Sequence, residues 1–102
     1  MLFSEMIPDA SYEAAFNDWY DQEHIPNLLK VPGVYGCRRY RLLLGQPASA
    51  AKYLAIYELE SPRIRQSAAW QQQSDSGYWK TRVRPFTTNK SLLFFEPITT
   101  GE

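Results

Sequence analysis

"KYLAIYELESP", Lys52 to Pro62, is the stretch on which the fold turns. Its β-branched and aromatic content and its length read as a strand. Along that strand Tyr53, Ala55, Tyr57 and Leu59 share one side, while Leu54 and Ile56 share the other. A sheet with one wet face alternates apolar with polar, and this strand does not. It needs cover on both sides. Ser61-Pro62 then starts a helix, with Ser as cap and Pro at the first helical position.

Working outward, "GQPASAA" before this strand is turn chemistry, and a further strand is expected over about Val34 to Leu44. After it, "RIRQSAAWQQQ" makes a short helix, "SDSG" interrupts, and "YWKTRVRP" resumes. "NKSLLFFEPI" is the last strand, with Leu92 and Phe94 on one side and Leu93 and Phe95 on the other. The tail "TTGE" should fray. At the start, "LFSEMI" is a strand closed by Pro8-Asp9, and a helix follows over about Tyr12 to His24. Asp9 or Ser11 would cap it, with Glu13 in its first turn. Pro26 removes a backbone donor and should kink or end that helix, leaving "PNLLK" as a short extra turn before "VPGV" reverses the chain.

The order is β-α-β-β-α-β. It predicts an α+β, ferredoxin-like domain: a four-stranded antiparallel sheet with both helices on one face. Two helices cover one face only, so a second copy of the sheet is the simplest cover for the other. A homodimer, with the possibility of a higher oligomer left open, is expected.

The 102 residues are expected to form one domain, 1–102. A hydrophobic fraction of 44% with three Trp, seven Tyr and five Phe excludes a disordered chain. No apolar run has the length of a membrane span and the N-terminus has no signal-peptide pattern, so a cytoplasmic protein without membrane contact is expected. The single Cys37 fits that compartment, since it cannot form an internal disulfide. Eleven basic and eleven acidic residues cancel, which argues against nucleic acid as a partner. Their distribution is uneven: residues 1–29 hold six acids and no Lys or Arg. Pairing of the acidic first third with the basic remainder is expected, with "RRYR" (Arg38 to Arg41) solvated or ion-paired.

Chemistry concentrates in "FNDWYDQEHIPNLLKVPG", Phe16 to Gly33, which holds the only histidine. At about 100° per residue, Glu23 falls about 20° from Phe16, inside the aromatic stripe of Phe16, Trp19 and Tyr20, and His24 about 80° away on its margin. A carboxylate in an apolar stripe is costly unless paired or protonated. Either Glu23 reaches Arg39 or Arg41 and ties helix to sheet, or it lines a pocket. His24 is either a helix-terminal histidine on the last carbonyls or a group of that pocket. Trp19 and Tyr20 read as core residues ahead of ligand contacts. Adjacent His24 and Glu23 diverge on a helix, so no metal site is expected. A Cys37–His24 nucleophile pair requires Cys37 to face the helices, and haem ligation by His24 has no motif behind it.

The segments WYDxEHIP (Trp19 to Pro26), VPG (Val31 to Gly33), RRYR and YLAIYELESP (Tyr53 to Pro62) together resemble the EthD-like branch of the dimeric α+β barrel superfamily. The resemblance covers nearly the whole chain. It implies a homodimer whose two sheets close a barrel, and a cleft lined by Tyr20 and His24 between the first helix and the sheet. The superfamily includes isomerases, cyclases, cofactor-free monooxygenases and haem-degrading enzymes, so fold alone does not select a reaction.

These readings converge on a cofactor-independent enzyme of isomerase, cyclase or monooxygenase type, moving a proton on a small apolar ring compound from aromatic or polyketide-like metabolism. His24 would be the acid or base, Tyr20 the donor to an oxygen, and Glu23 the group that orients His24. Trp19, Phe16, Tyr57 and Cys37 would contact the substrate. The alternatives are a non-catalytic small-molecule binder or accessory protein, and a haem-handling protein.

Overall fold

Strand pairing follows from the apolar runs. The computed structural model describes residues 1–47 and 50–99 and contains four strands: β1 (Leu2–Pro8), β2 (Val34–Arg41), β3 (Tyr53–Leu59) and β4 (Thr87–Phe94). They form one antiparallel sheet in the order β2-β3-β1-β4, with β1 and β3 central. This is the ferredoxin-like α+β arrangement. The expectation of a frayed tail concerns residues 99–102, of which 100–102 lie outside the described residues.

Registers set the two faces. Leu2 lies opposite both Tyr57 and Phe94, and Ser4 opposite both Ala55 and Leu92. On this side Leu2, Met6, Tyr53, Ala55 and Tyr57 are buried beneath the helices. A bulge between Glu5 and Met6 absorbs one extra β4 residue. On the other side Phe3, Leu54 and Ile56 are only half-buried, and Leu93 and Phe95 are exposed. Phe3 and Phe95 meet edge to face, with centroids 4.9 Å apart. The two-sided apolar character of β3 and β4 is therefore real, and the helices cover one side of it.

The first helical region differs from expectation at both ends. Neither Asp9 nor Ser11 caps it with its side chain; entry is through a 3-10 turn, Ala10–Tyr12, anchored by the Asp9 N–H on the Phe86 carbonyl (2.8 Å). Helix α1 (Glu13–Trp19) does not stop before Pro26. It widens into a π-turn over Tyr20–His24, where the Ile25 N–H reaches the Tyr20 carbonyl, and runs on as α2 (Ile25–Leu28). The wide turn supplies the room that a proline ring needs against the preceding carbonyls. It also places both Tyr20 and His24 on the inner face.

The second region is broken as anticipated, but with a different cap. Ser61 makes no side-chain cap bond; a 3-10 turn (Pro62–Gln66) comes first, and Ser67 caps α3 (Ala68–Ser74), its Oγ accepting from the Trp70 N–H at 3.1 Å. A second π-turn, Trp79–Val83, and a 3-10 turn, Arg84–Phe86, lead into β4.

One side-chain bond couples the two regions. Glu23 does not reach Arg39 or Arg41. Its Oε1 accepts from the Trp79 N–H at 2.7 Å, at the free N-terminal end of the second π-turn. Gly77, with φ of +73°, leaves space for that carboxylate; a Cβ there would overlap it. Glu23→Ala should cost about 1–2 kcal/mol by orphaning a partly buried donor. Gly77→Ala should cost at least about 1 kcal/mol from the left-handed backbone alone. Part of the Gly77→Ala penalty is the collision with Glu23, so it should shrink in the Glu23→Ala background. Urea melts of the two single variants and the double variant measure that coupling; strict additivity would contradict it.

Arg39 pairs with Asp21 (2.8 Å) and also bonds Asn17, an instance of acidic first helix meeting basic strand. The other described ion pairs, Arg84–Asp75 and Lys80–Asp75, lie within the C-terminal half.

Candidate functional site

Between the sheet and the two helical regions lies a cavity of about 210 Å³. Its floor is β1 and β3, through Leu2, Ser4, Met6 and Tyr57. The first π-turn contributes Tyr20 and His24. The second helical region contributes Arg65, Trp70, Trp79 and Arg84, and β4 closes it with Asn89 and Leu92.

His24 is only 7% exposed. Its ring stacks on Trp79 (centroids 4.2 Å, 17° between planes) and meets the Tyr20 ring edge to face at 5.0 Å. Helix-terminal carbonyls do not hold it. Nδ1 is enclosed and has no hydrogen-bond partner among the described residues, which leaves Nε2 as the nitrogen available to the cavity. Burial, with Arg84 and then Arg65 adding positive charge nearby, presses its pKa from 6.5 down to about 3. The imidazole is neutral at any ordinary pH.

Tyr20 and Tyr57 hydrogen-bond to each other through their hydroxyls, both deeply buried. Burial raises both phenols, so both keep their protons. The Arg39 guanidinium lies 4.6 Å from the centre of the Tyr20 ring and steadies it from the side of β2. Register places Cys37 opposite Tyr57, facing the helices. Its thiol neighbours the Tyr57 hydroxyl rather than His24, and burial pushes it up to about 12. A protonated thiol so placed is no nucleophile, and the Cys37–His24 pairing does not form.

The residues singled out from the sequence therefore separate. Tyr20, His24 and Tyr57 meet at the cavity. Glu23 is engaged with the backbone of Trp79 and stands outside the lining, as do the others. Trp19 packs on Tyr78 (5.2 Å), Phe16 is fully buried among Tyr20, Tyr53 and Trp79, and Cys37 lies behind Tyr57. Sequence reasoning missed Arg65, Trp70, Trp79 and Arg84. A signal existed: Trp70 and Trp79 bracket the polar run "QQQSDSGY", and isolated indoles in such a run must be buried against something. Among the described residues no three His, Cys, Asp or Glu gather where one ion could bind them. For scale, a cavity of about 150 Å³ holds benzene, so a single substituted ring fits within this one.

No protein-family profile matches the chain, and no curated protein sequence does. Among solved structures, the crystal structure of HapK from Hahella chejuensis is similar, with a TM-score of 0.70 at 13% identity over 99% of this chain and 94% of that one. The likeness is one of fold. It supports the ferredoxin-like architecture over the full described length, while the EthD-like branch has no such support beyond its sequence segments. No helix among the described residues is long and apolar enough to cross a membrane.

Proposed function

We propose that the cavity binds a small single-ring compound, its carbonyl oxygen accepting from the Tyr20 phenol and the adjacent C–H facing the unprotonated Nε2 of His24. The observation that carries this reading is the buried, neutral, unsatisfied imidazole beside a protonated phenol pair in an aromatic-walled cavity. Buried polar groups are normally hydrogen-bonded, and His24 makes no side-chain hydrogen bond among the described residues; with Nδ1 enclosed, a ligand would meet Nε2.

The chemistry that suits such a site is proton transfer next to a carbonyl. The C–H proton passes to the free imidazole nitrogen, and the C–H electron pair delocalises into the carbonyl as an enolate, whose oxygen accepts from the Tyr20 phenol. In the empty cavity His24 is a weak base. An enolate forming beside it supplies the opposite charge that makes the imidazolium stable, so basicity arises with the substrate in place. Isomerase, cyclase and cofactor-free monooxygenase reactions all pass through such a step. The EthD-like resemblance is compatible with this class. The low basicity of the empty site equally favours a protein that holds its ligand without turnover. Incubating a bound cyclic ketone in D₂O and following its α-protons by NMR separates the two readings: enzyme-dependent wash-in supports proton transfer, and binding without wash-in supports the holder.

A homodimer belongs to the same proposal. The far sheet face carries Phe3, Leu54, Ile56, Leu93 and Phe95, an apolar patch bordered by Glu5 and Arg38 that the helices leave uncovered. Leu93→Lys, exposed on the edge strand β4 within that apolar patch and away from the cavity, should convert a species with the mass of two chains into monomer or aggregate in sedimentation. A wild type that sediments as one chain at micromolar concentration would contradict the dimer.

A further inference from the structure

The cavity is not electrically neutral, and its one acid is already committed. Asp75 accepts from Arg84 Nη1 at 2.7 Å and from Gln71 at 2.9 Å, and Lys80 stands 3.8 Å away. Arg84 is fixed further by the Ser74 carbonyl (2.7 Å) and hydroxyl (3.0 Å). That guanidinium is a built part of the wall. Arg65 is different. It lines the same cavity, half-buried, with its guanidinium carbon 5.5 Å from the centre of the Trp70 ring, and among the described residues it has no carboxylate partner. A guanidinium held over an indole face and free of a carboxylate still has its fork of donors to offer to two oxygens.

We infer that the ligand of this cavity carries a carboxylate, or an equally acidic oxygen, on its ring, and that Arg65 is the residue that selects it. The inference rests on the small-ring reading above and adds the charge of the substrate to it. The ring would lie against the aromatic wall of Trp70 and Trp79, its neutral oxygen toward Tyr20, and its anionic group toward Arg65. The positive field of the two arginines, already felt at His24, acts in the same direction. It favours ligands that bring negative charge and opposes those that bring positive charge. Fixing Arg84 with Asp75 leaves Arg65 as the unspent cation, so selection falls to one side chain.

Benzoate and benzamide, alike in ring and size and different in charge, are suitable probes, titrated by NMR shift perturbation and indole fluorescence. Benzoate should bind the wild type about tenfold or more tighter than benzamide. In Arg65→Gln the benzoate affinity should fall to that of benzamide, and Arg65→Lys should recover part of the preference but not all of it, because an ammonium lacks the fork. The ratio is read within each variant, so a general loosening of the cavity, which weakens both probes, does not imitate the effect. Equal affinity of the two probes for the wild type overturns the inference while leaving the ring-binding cavity intact. A preference that survives in Arg65→Gln likewise overturns the assignment to Arg65. If neither probe binds, the cavity reading itself fails and this inference falls with it.

Discussion

Replacing His24 with phenylalanine should leave the protein at least as stable as the wild type at neutral pH while removing ligand binding or turnover by tenfold or more. The flat ring can keep the stack on Trp79 and the edge contact with Tyr20, which supply the packing at this position. What it deletes is the pair of nitrogens, one of them enclosed without a partner. An unsatisfied buried polar atom costs on the order of 1–3 kcal/mol, so its removal offsets whatever misfit the larger ring introduces. Gain in stability with loss of function is what a residue retained for its chemistry should show. His24→Ala is a poorer test, because opening a void beside Trp79 would lower stability and affinity together. Melting temperature and ligand affinity measured on His24→Phe decide the matter: a large stability loss with unchanged affinity would make His24 a core residue.

The second large effect is on stability against pH. His24 titrates near 6.5 when the chain is unfolded and near 3 when it is folded. The folded value is depressed, so the neutral imidazole's contribution is complete above about pH 6.5. It declines as pH falls below that, because the unfolded chain takes up a proton that the native protein refuses, and it is gone below about pH 3. At about 1.4 kcal/mol per pH unit, the wild type should lose on the order of 2–3 kcal/mol between pH 7.5 and pH 4.5 from this group. That is a substantial share of the roughly 5–15 kcal/mol by which domains are stable. Asp75, whose pKa its bonds to Arg84 and Gln71 hold low, adds its own loss at lower pH, where protonation releases Arg84. The difference between wild type and His24→Phe isolates the histidine, since carboxylates are common to both. Urea midpoints at pH 7.5, 6, 5 and 4.5 should show the variant gaining on the wild type as pH falls. Parallel curves would mean that His24 is protonated in the native state.

Much of the fold was legible because it depends on local periodicity. The two-residue period of a strand sorted Tyr53–Leu59 into the two faces of β3, and the order of strands and helices selected the topology. Apolar residues on both sides of β3 and β4 announced a face that the helices leave uncovered. The site was legible only in part. Tyr20 and His24 belong to one helix by sequence, but a regular 3.6-residue period gives their relation to the stripe only without the π-turn over Tyr20–His24, which changes it. Pro26 signalled a disturbance without saying that the helix would widen instead of ending. Glu23 was recognised as out of place in an apolar stripe, yet its partner proved to be a backbone N–H fifty-six residues away. Sequence names the side chains that could bond Glu23 and conceals the backbone donors.

The amino-acid sequence by itself determined the strands, the helices, their order and the presence of an unusual acid and histidine among aromatics, because these follow from residue type and spacing along one element. Only the tertiary structure decided which of those residues meet. Trp79, Trp70, Arg65 and Arg84 come to His24 from the far half of the chain, across a gap whose conformation is set by Gly77, Ser67 and the Glu23–Trp79 bond. The neutrality of His24 is likewise a tertiary property. It arises from burial and from two guanidiniums brought near by the fold, neither of them its neighbour in sequence.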